Sequence, residues 1–285
     1  MTDIAGGPRH RAGRSLAFHL VLCGASILML YPLLWMLASS FKPESEIFGN
    51  ASLLPSSFSL DAYRRGWAGL QVSFGRFFLN SLIVSVLSVI GNVLSCSLAA
   101  YAVARLDFRG LNFWYALMLG TLMLPYHVTL IPQYILFLNL DWVDTFRPLV
   151  VPKFLAVDAF YIFLLVQFFR TIPSELDDAA KIDGCGPFRI YWKIILPLSL
   201  PALATAAIFT FIFTWDDFFG PLVYLNDIQS YTVQLGLRSF VDSTGKSDWG
   251  ALFAMSVLTL LPVFAFFVFF QRLLIQGIST TGLKG

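Results

Sequence analysis

Two carboxylates lie between aromatic side chains in one apolar stretch, Trp215-Asp216-Asp217-Phe218. Carboxylates accept hydrogen bonds from hydroxyl groups and aromatic rings pack on apolar faces, so this pattern suits a ligand with many hydroxyl groups. Asp216 has an alternative role, in which it pairs with a base such as Lys153 on another helix. Trp215 and Phe218 have the alternative of packing alone. Both interpretations stay open at this level.

Other polar side chains also lie in apolar stretches. Asp158 has Tyr161 nearby, and Tyr126 and His127 follow Pro125. An ionisable group inside an apolar span is energetically expensive, so it usually faces the bundle interior or an aqueous cavity. Asp158 is therefore a candidate to bind a ligand hydroxyl or a polar group of a neighbouring helix. For His127 the alternative is a hydrogen bond to a neighbour.

The polar segment 170–197 predicts two short helices. Ser174 is a good N-cap and Asp177, three residues later, can close a capping box. Gly184 ends the first helix, and the second begins after Pro187. A helix of about nine residues is not stable alone in water. It must therefore pack on its own bundle, in lipid headgroups or on another protein.

Composition excludes several classes of protein. Of 285 residues, 57% are hydrophobic and 13% charged, against about 45–50% and about 25% in a soluble domain, so a soluble enzyme is excluded. The net charge of +2 gives no basic field for a nucleic-acid partner. Three scattered cysteines and three histidines predict no disulfide, no metal site and no catalytic residues. The chain has no phosphate-binding loop of the G-x-x-x-x-G-K-[ST] type.

The elements that must position these residues are long apolar stretches. About 18 or more apolar residues cross a hydrocarbon core as a helix, and such helices satisfy their own backbone hydrogen bonds in lipid. The predicted fold class is therefore all-α, a polytopic membrane protein with six transmembrane helices. The predicted spans are 16–39, 78–103, 112–137, 149–169, 199–224 and 250–270.

One membrane domain is predicted, with short tails. We expect an N-terminal tail over 1–15, a transmembrane domain over 16–271 that includes the loop 170–197, and a C-terminal tail over 272–285. Placing the N-terminus inside puts eleven of the 19 Lys and Arg residues on the inner side. Because basic residues accumulate in inner loops, both tails are predicted to be cytoplasmic.

The segment 170–197 also carries a motif with fixed spacing. Asp178-Ala179-Ala180 is followed after three residues by Gly184, and after nine more by Ile194-x-Leu196-Pro197. This spacing resembles the EAA loop of ABC importer permeases and implies their permease fold. Asp178 stands where that family usually has Glu, which keeps the carboxylate and shortens the side chain by one methylene.

In that family the loop forms a coupling helix in a cleft of the ATP-hydrolysing subunit, so that closure of the nucleotide-binding dimer moves the transmembrane helices. The resemblance implies that Ala179, Ala180 and Gly184 allow close approach to the cleft, while Asp177 and Asp178 offer acceptors. The coupling residues that it implies are Glu175, Asp177, Asp178, Ala179, Ala180, Gly184, Leu196 and Pro197. It also implies that ATP and Mg²⁺ bind to partner ATPase subunits, and that this chain holds no cofactor and is not itself an enzyme.

Further segments resemble carbohydrate-type permeases, especially the maltose-permease G-like subunit. They are Gln271-Arg272-x-x-Ile275-x-Gly277, Thr281-Gly282-Leu283-Lys284-Gly285, Tyr231-Thr232-Val233-x-Leu235-Gly236 and Pro55-Ser56-x-Phe58-Ser59-Leu60-x-x-Tyr63. The resemblance implies half of a pathway for a mono-, di- or oligosaccharide or a related polyol or glycerol phosphate. The implied partners are a second homologous permease, an ATPase dimer and an external substrate-binding protein. Residues 283–285 either reach the ATPase subunits, as in the maltose system, or form a frayed end.

One alternative function stays open. In a stand-alone secondary carrier, intramembrane acids such as Asp158 and Asp216 would couple transport to an ion. The motif in the segment 170–197 argues against it. Both interpretations place the chain among lipids in the plasma (inner) membrane of a prokaryote.

Overall fold

The computed structural model describes residues 8–49, 52–241 and 247–281. The regular elements in these ranges are all helical, which confirms the all-α fold class. The α-helices are α1 (Pro8–Ser39), α2 (Glu44–Ile47), α3 (Asp61–Ala68), α4 (Phe74–Arg105), α5 (Leu111–Thr121), α6 (Tyr126–Asn139), α7 (Arg147–Val150), α8 (Ala159–Thr171), α9 (Glu175–Ile182), α10 (Pro187–Ile190), α11 (Leu196–Leu198), α12 (Leu200–Trp215), α13 (Phe219–Tyr224), α14 (Val233–Arg238) and α15 (Trp249–Thr281). Two 3₁₀ helices, Val151–Leu155 and Ile228–Ser230, and a π-helix, Tyr191–Ile195, complete the set.

Long apolar helices dominate the described chain. Four stretches are long and apolar enough to cross a membrane, and they are Phe18–Ser39, Phe74–Arg105, Arg147–Thr171 and Trp249–Arg272. A fifth is reached if Pro187–Leu198 and Leu200–Trp215, which meet at 78°, form one broken span. These stretches overlap five of the six predicted spans.

The remaining predicted span, 112–137, is divided between α5 and α6, neither of which is long enough to cross a membrane. Pro125 precedes α6 with an extended backbone. Proline has no N–H for the helical ladder and disfavours helical geometry in the residue before it. The count of six spans is therefore not confirmed.

The chain divides into two compact units. The first contains the described residues of Met1–Leu70 and Phe240–Leu258. In it the Arg65 guanidinium binds Asp248 at 2.8 Å and Glu44 at 3.5 Å. The backbone N–H of Ala251 donates to Asp248 at 2.8 Å. These bonds hold α2 and α3 against the start of α15.

The second unit contains the described residues of Gln71–Ser239 and Thr259–Gly285. Its core is α4, which packs along both α8 and α12. The buried side of α4 is rich in small residues, which let neighbouring helices approach closely. The Asn92 side chain donates to Thr210 at 2.8 Å and so joins α4 to α12.

Candidate functional site

Helix α9 occupies the position predicted for the first helix of the segment 170–197. It begins after Ser174 and ends before Gly184, whose φ of 75° lies in the left-handed region that favours glycine. The predicted capping box is wrong, because the Ser174 side chain makes no capping bond. Asp177 instead turns into the protein, where its side chain is 9% exposed.

Arg105, the last residue of α4, explains the inward turn of Asp177. Its guanidinium binds the Asp177 carboxylate at 3.2 Å. It also donates to the backbone carbonyls of Phe169 and Ile172 at the end of α8, both at 2.6 Å. The Arg105 side chain is only 7% exposed. One buried guanidinium therefore connects α9 to the ends of α4 and α8.

The two sides of α9 differ in exposure. Asp177 and Ala180 are buried against the chain's own core. The small side chain of Ala180 therefore allows close packing within this chain. The resemblance had implied that it allows close approach to the partner ATPase. The exposed coupling residues on α9 and just after it are Glu175, Asp178, Ala179 and Gly184. Ile182 is 87% exposed beside them.

The rest of the segment is fixed by α4 as well. The Tyr101 hydroxyl donates to the Pro187 carbonyl at 2.9 Å, and the Ser97 and Tyr191 hydroxyls are 2.7 Å apart. The π-helix then leads to Leu196, which is half-buried, and to Pro197, which is exposed. Residues of α4 therefore hold this segment at several levels.

A cavity of about 630 Å³ lies elsewhere in the same unit. It brings together three of the predicted pathway residues, Asp158, Tyr161 and Asp217. The Lys153 ammonium binds the Asp158 carboxylate at 2.8 Å. The predicted pairing of Lys153 with Asp216 is not formed, and Asp216 instead accepts a hydrogen bond from the Gln234 amide at 3.2 Å.

The other predicted pathway residues do not line this cavity. Trp215 is buried and its indole N–H donates to the Thr259 carbonyl at 3.1 Å, which is a packing role. Phe218 packs edge to face on Phe219, as does His127. Tyr126 begins α6, and its side chain lies outside the described part of the structure. The tail residues 283–285 lie outside it too.

Sequence reasoning missed the role of Arg105, and did not include Lys153 and Tyr224 among the pathway residues. Arg105 and Asp177 are 72 positions apart, so no local pattern joins them. The available signal was Arg105 itself, a cation at the end of an apolar span. Within the described residues no three His, Cys, Asp or Glu side chains lie close enough to hold a metal ion.

Comparison with known proteins gives a consistent result. Residues 91–280 match the family described as "Binding-protein-dependent transport system inner membrane component". The chain is 36% identical to the arabinooligosaccharides transport system permease protein AraQ of Halalkalibacterium halodurans, over 91% of this chain and 93% of that protein. It is 34% identical to the probable ABC transporter permease protein YurM of Bacillus subtilis, over 91% of this chain and 85% of that protein.

A solved structure resembles the fold. It is a crystal structure of a bacterial ABC transporter involved in the import of the acidic polysaccharide alginate. The TM-score is 0.82 at 22% identity, and the match covers 95% of this chain and 99% of that chain. At this identity the similarity concerns the fold, which confirms the predicted permease architecture.

Proposed function

The chain belongs to the family of binding-protein-dependent transport system inner membrane components, and we propose that it forms half of the pathway of an ATP-driven carbohydrate importer. A second homologous permease forms the other half. Two ATPase subunits bind ATP and Mg²⁺, and an external binding protein delivers the sugar. Both tails of this chain face the cytoplasm, on the side of the ATPase subunits.

The observation that carries this proposal is the two-sided structure of α9. Its inner side is fixed to α4 and α8 through Arg105. Its outer side presents Ile182 at 87% exposure, between Asp183 and the exposed ion pair of Lys181 with Asp178. A helix this short gains its stability from packing, and the chain itself covers only the inner side of α9. The outer side of α9 is therefore the docking surface for the ATPase.

The mechanism depends on the stiff connection that Arg105 makes between α9, α4 and α8. Closure of the ATPase dimer on ATP binding displaces α9, and Arg105 passes the displacement to α4 and α8 together. Both helices belong to the unit that contains the cavity. Their displacement therefore changes the side of the membrane from which the cavity is accessible. Hydrolysis and release of the ATPase contact reset the arrangement. This is alternating access driven from outside the chain.

Pairing within the cavity disfavours a stand-alone secondary carrier. In such a carrier, an acid such as Asp158 would have to bind and release the coupling ion. Asp158 is held by Lys153 at 2.8 Å, and Asp216 is exposed and lies outside the cavity.

Affinity purification with matched variants of α9 tests the docking surface. We compare the tagged wild-type chain with Ile182→Asp and the conservative Ile182→Leu in mild detergent. Wild type and Ile182→Leu are expected to retain the ATPase and the second permease. Ile182→Asp is expected to lose the ATPase and to keep the second permease and its own thermal stability. Full recovery of the ATPase with Ile182→Asp would contradict the proposal.

A further inference from the structure

The cavity in the second unit has the size and composition of a ligand site. Its volume is about 630 Å³, and ligand pockets typically have about 300–1,000 Å³. Its walls come from the end of α5, from α6 and α7, from the segment between α7 and α8, from the start of α8, and from the residues around α13. Polar groups converge on it from several of these elements, and they are Thr121, Thr129, Gln133, Lys153, Asp158, Asp217 and Tyr224.

The cavity has more acidic than basic side chains. Among the described residues that line it, Lys153 is the single cation and Asp158 and Asp217 are the two anions. Lys153 binds Asp158 directly, and Asp217 lines the same cavity. The cavity thus has a formal charge of minus one, and its cation is already engaged.

The backbone holds these charged groups in place. The Ser95 hydroxyl on α4 donates to the Lys153 carbonyl at 2.8 Å. Gly91 on α4 leaves room for the ring of Phe154, because a Cβ at Gly91 would collide with that ring. Asp217 accepts from the backbone N–H of Gly220 at 3.1 Å. A Cβ on Gly220 would collide with the Asp217 carboxylate. Gly220 therefore leaves room for the Asp217 carboxylate, and Gly91 leaves room for the residue that follows Lys153.

Neutral and acidic sugars meet this set of groups differently. A sugar hydroxyl is both donor and acceptor, so it can donate to Asp158 or Asp217 and accept from Lys153. A carboxylate or phosphate oxygen can only accept, and it would meet two carboxylates and a cation that is already paired. An unfavourable charge against the wrong ligand is a common source of specificity.

We propose that this cavity binds an uncharged, polyhydroxylated part of the transported carbohydrate and excludes acidic sugars and sugar phosphates. The inference rests on the proposed function and adds that this chain contacts the substrate. Lys153, Asp158 and Asp217 together set the preference. The alginate importer of similar fold takes an acidic polymer, so the expected selectivity here is opposite to that of this structural relative.

Protection of a cysteine in the cavity tests the proposal directly. The assembled importer in nanodiscs carries Gln133→Cys, with Cys23→Ser and Cys185→Ser to remove the accessible natural thiols. The rate of maleimide labelling is measured with arabinotriose, maltotriose or raffinose as neutral probes, and with trigalacturonate as an acidic probe of similar length. At least one neutral probe is expected to slow labelling about twofold or more, as half occupancy would require, and trigalacturonate is expected to have no effect.

A change of charge provides the matched positive control. Asp158→Asn combined with Asp217→Asn leaves Lys153 unpaired and gives the cavity a charge of plus one. Trigalacturonate is then expected to slow labelling of the same cysteine. Equal protection of the original cavity by acidic and neutral probes would overturn the proposal, and so would the absence of protection by every neutral probe.

The result can be separated from the proposed function. Co-purification of the ATPase and its basal ATP hydrolysis are measured on the same nanodisc sample. If the ATPase is absent, the proposed function fails. If the ATPase is present and active while the neutral probes give no protection, the inference about the cavity fails alone.

Discussion

Two ion pairs in the second unit differ in surroundings and, we argue, in purpose. The pair of Arg105 and Asp177 is almost fully buried, with side chains 7% and 9% exposed. The pair of Lys153 and Asp158 is 28% and 26% exposed, on the wall of a cavity. A buried pair is stiff because breaking it leaves a charge without water. A partly hydrated pair can share hydrogen bonds with a ligand while its two charges stay together. The first suits the transmission of motion, and the second suits binding.

The largest expected effect is at the buried pair. Arg105→Ala leaves the Asp177 carboxylate and two backbone carbonyls without their donor, and breaking a buried pair typically costs about 3–5 kcal/mol. We expect a large loss in the free energy of unfolding in mixed micelles and the loss of ATP-driven uptake. The same measurements on Arg105→Met with Asp177→Leu are expected to recover much of the stability, because no charge is left buried. Uptake is not expected to return.

A second effect concerns the two alanines of α9. Ala180 is buried in the core, whereas its neighbour Ala179 is exposed. Ala180→Leu overpacks the core, which typically costs about 1–3 kcal/mol, so thermal stability should fall. Ala179→Leu is expected to leave stability unchanged and to reduce ATPase co-purification. Equal loss of stability in both variants would contradict the two-sided description of α9.

Sequence reasoning predicted much of the fold and part of the site. Helix α9 and its end at Gly184 were predictable because capping residues and glycine act locally. Pro125 could have predicted the break between α5 and α6, because proline interrupts a helix. The apolar stretch instead predicted one continuous span over 112–137. The role of Asp177 was not predictable, because a capping role and a distant arginine compete for the same carboxylate. The separation of Asp217 from Asp216 depends on the rotation of the chain where α12 ends. The predicted domain boundaries and the coupling role of the loop stay predictions.

A smaller effect is expected at the pair of Lys153 and Asp158. Partly exposed pairs contribute about 0–1 kcal/mol, so a double-mutant cycle with Lys153→Met and Asp158→Asn should give a small coupling energy. Selectivity among sugars should change much more than stability. A coupling energy as large as that of Arg105 and Asp177 would remove the distinction between the two pairs.

The smallest effect is expected at the exposed pair of Arg65 and Asp248 in the first unit. Burial alone would raise the pKa of Asp248, but hydrogen bonds from Arg65 and the Ala251 N–H bring this pKa below its usual value. The bond to Asp248 in turn raises the pKa of Arg65. Because the folded-state pKa of Asp248 is depressed, its contribution is fully present above pH about 4 and disappears as the pH falls through the folded-state value.

Thermal unfolding of wild type and Asp248→Asn across this pH range measures the contribution. The side chains of Arg65 and Asp248 are 46% and 29% exposed, so the difference in stability should be below about 1 kcal/mol at pH 7. It should shrink as the pH is lowered below about 4. A difference that grows on acidification would have the wrong sign for a carboxylate with a depressed pKa.

The central claim is that this chain moves a carbohydrate with energy received through α9, and uptake by proteoliposomes tests it most directly. The assembled importer is reconstituted with its external binding protein, with ATP sealed inside or omitted. We predict accumulation of sugar that requires both ATP and the binding protein and that is lost with Ile182→Asp. Accumulation by this chain alone, driven by an ion gradient without ATP, would contradict the account.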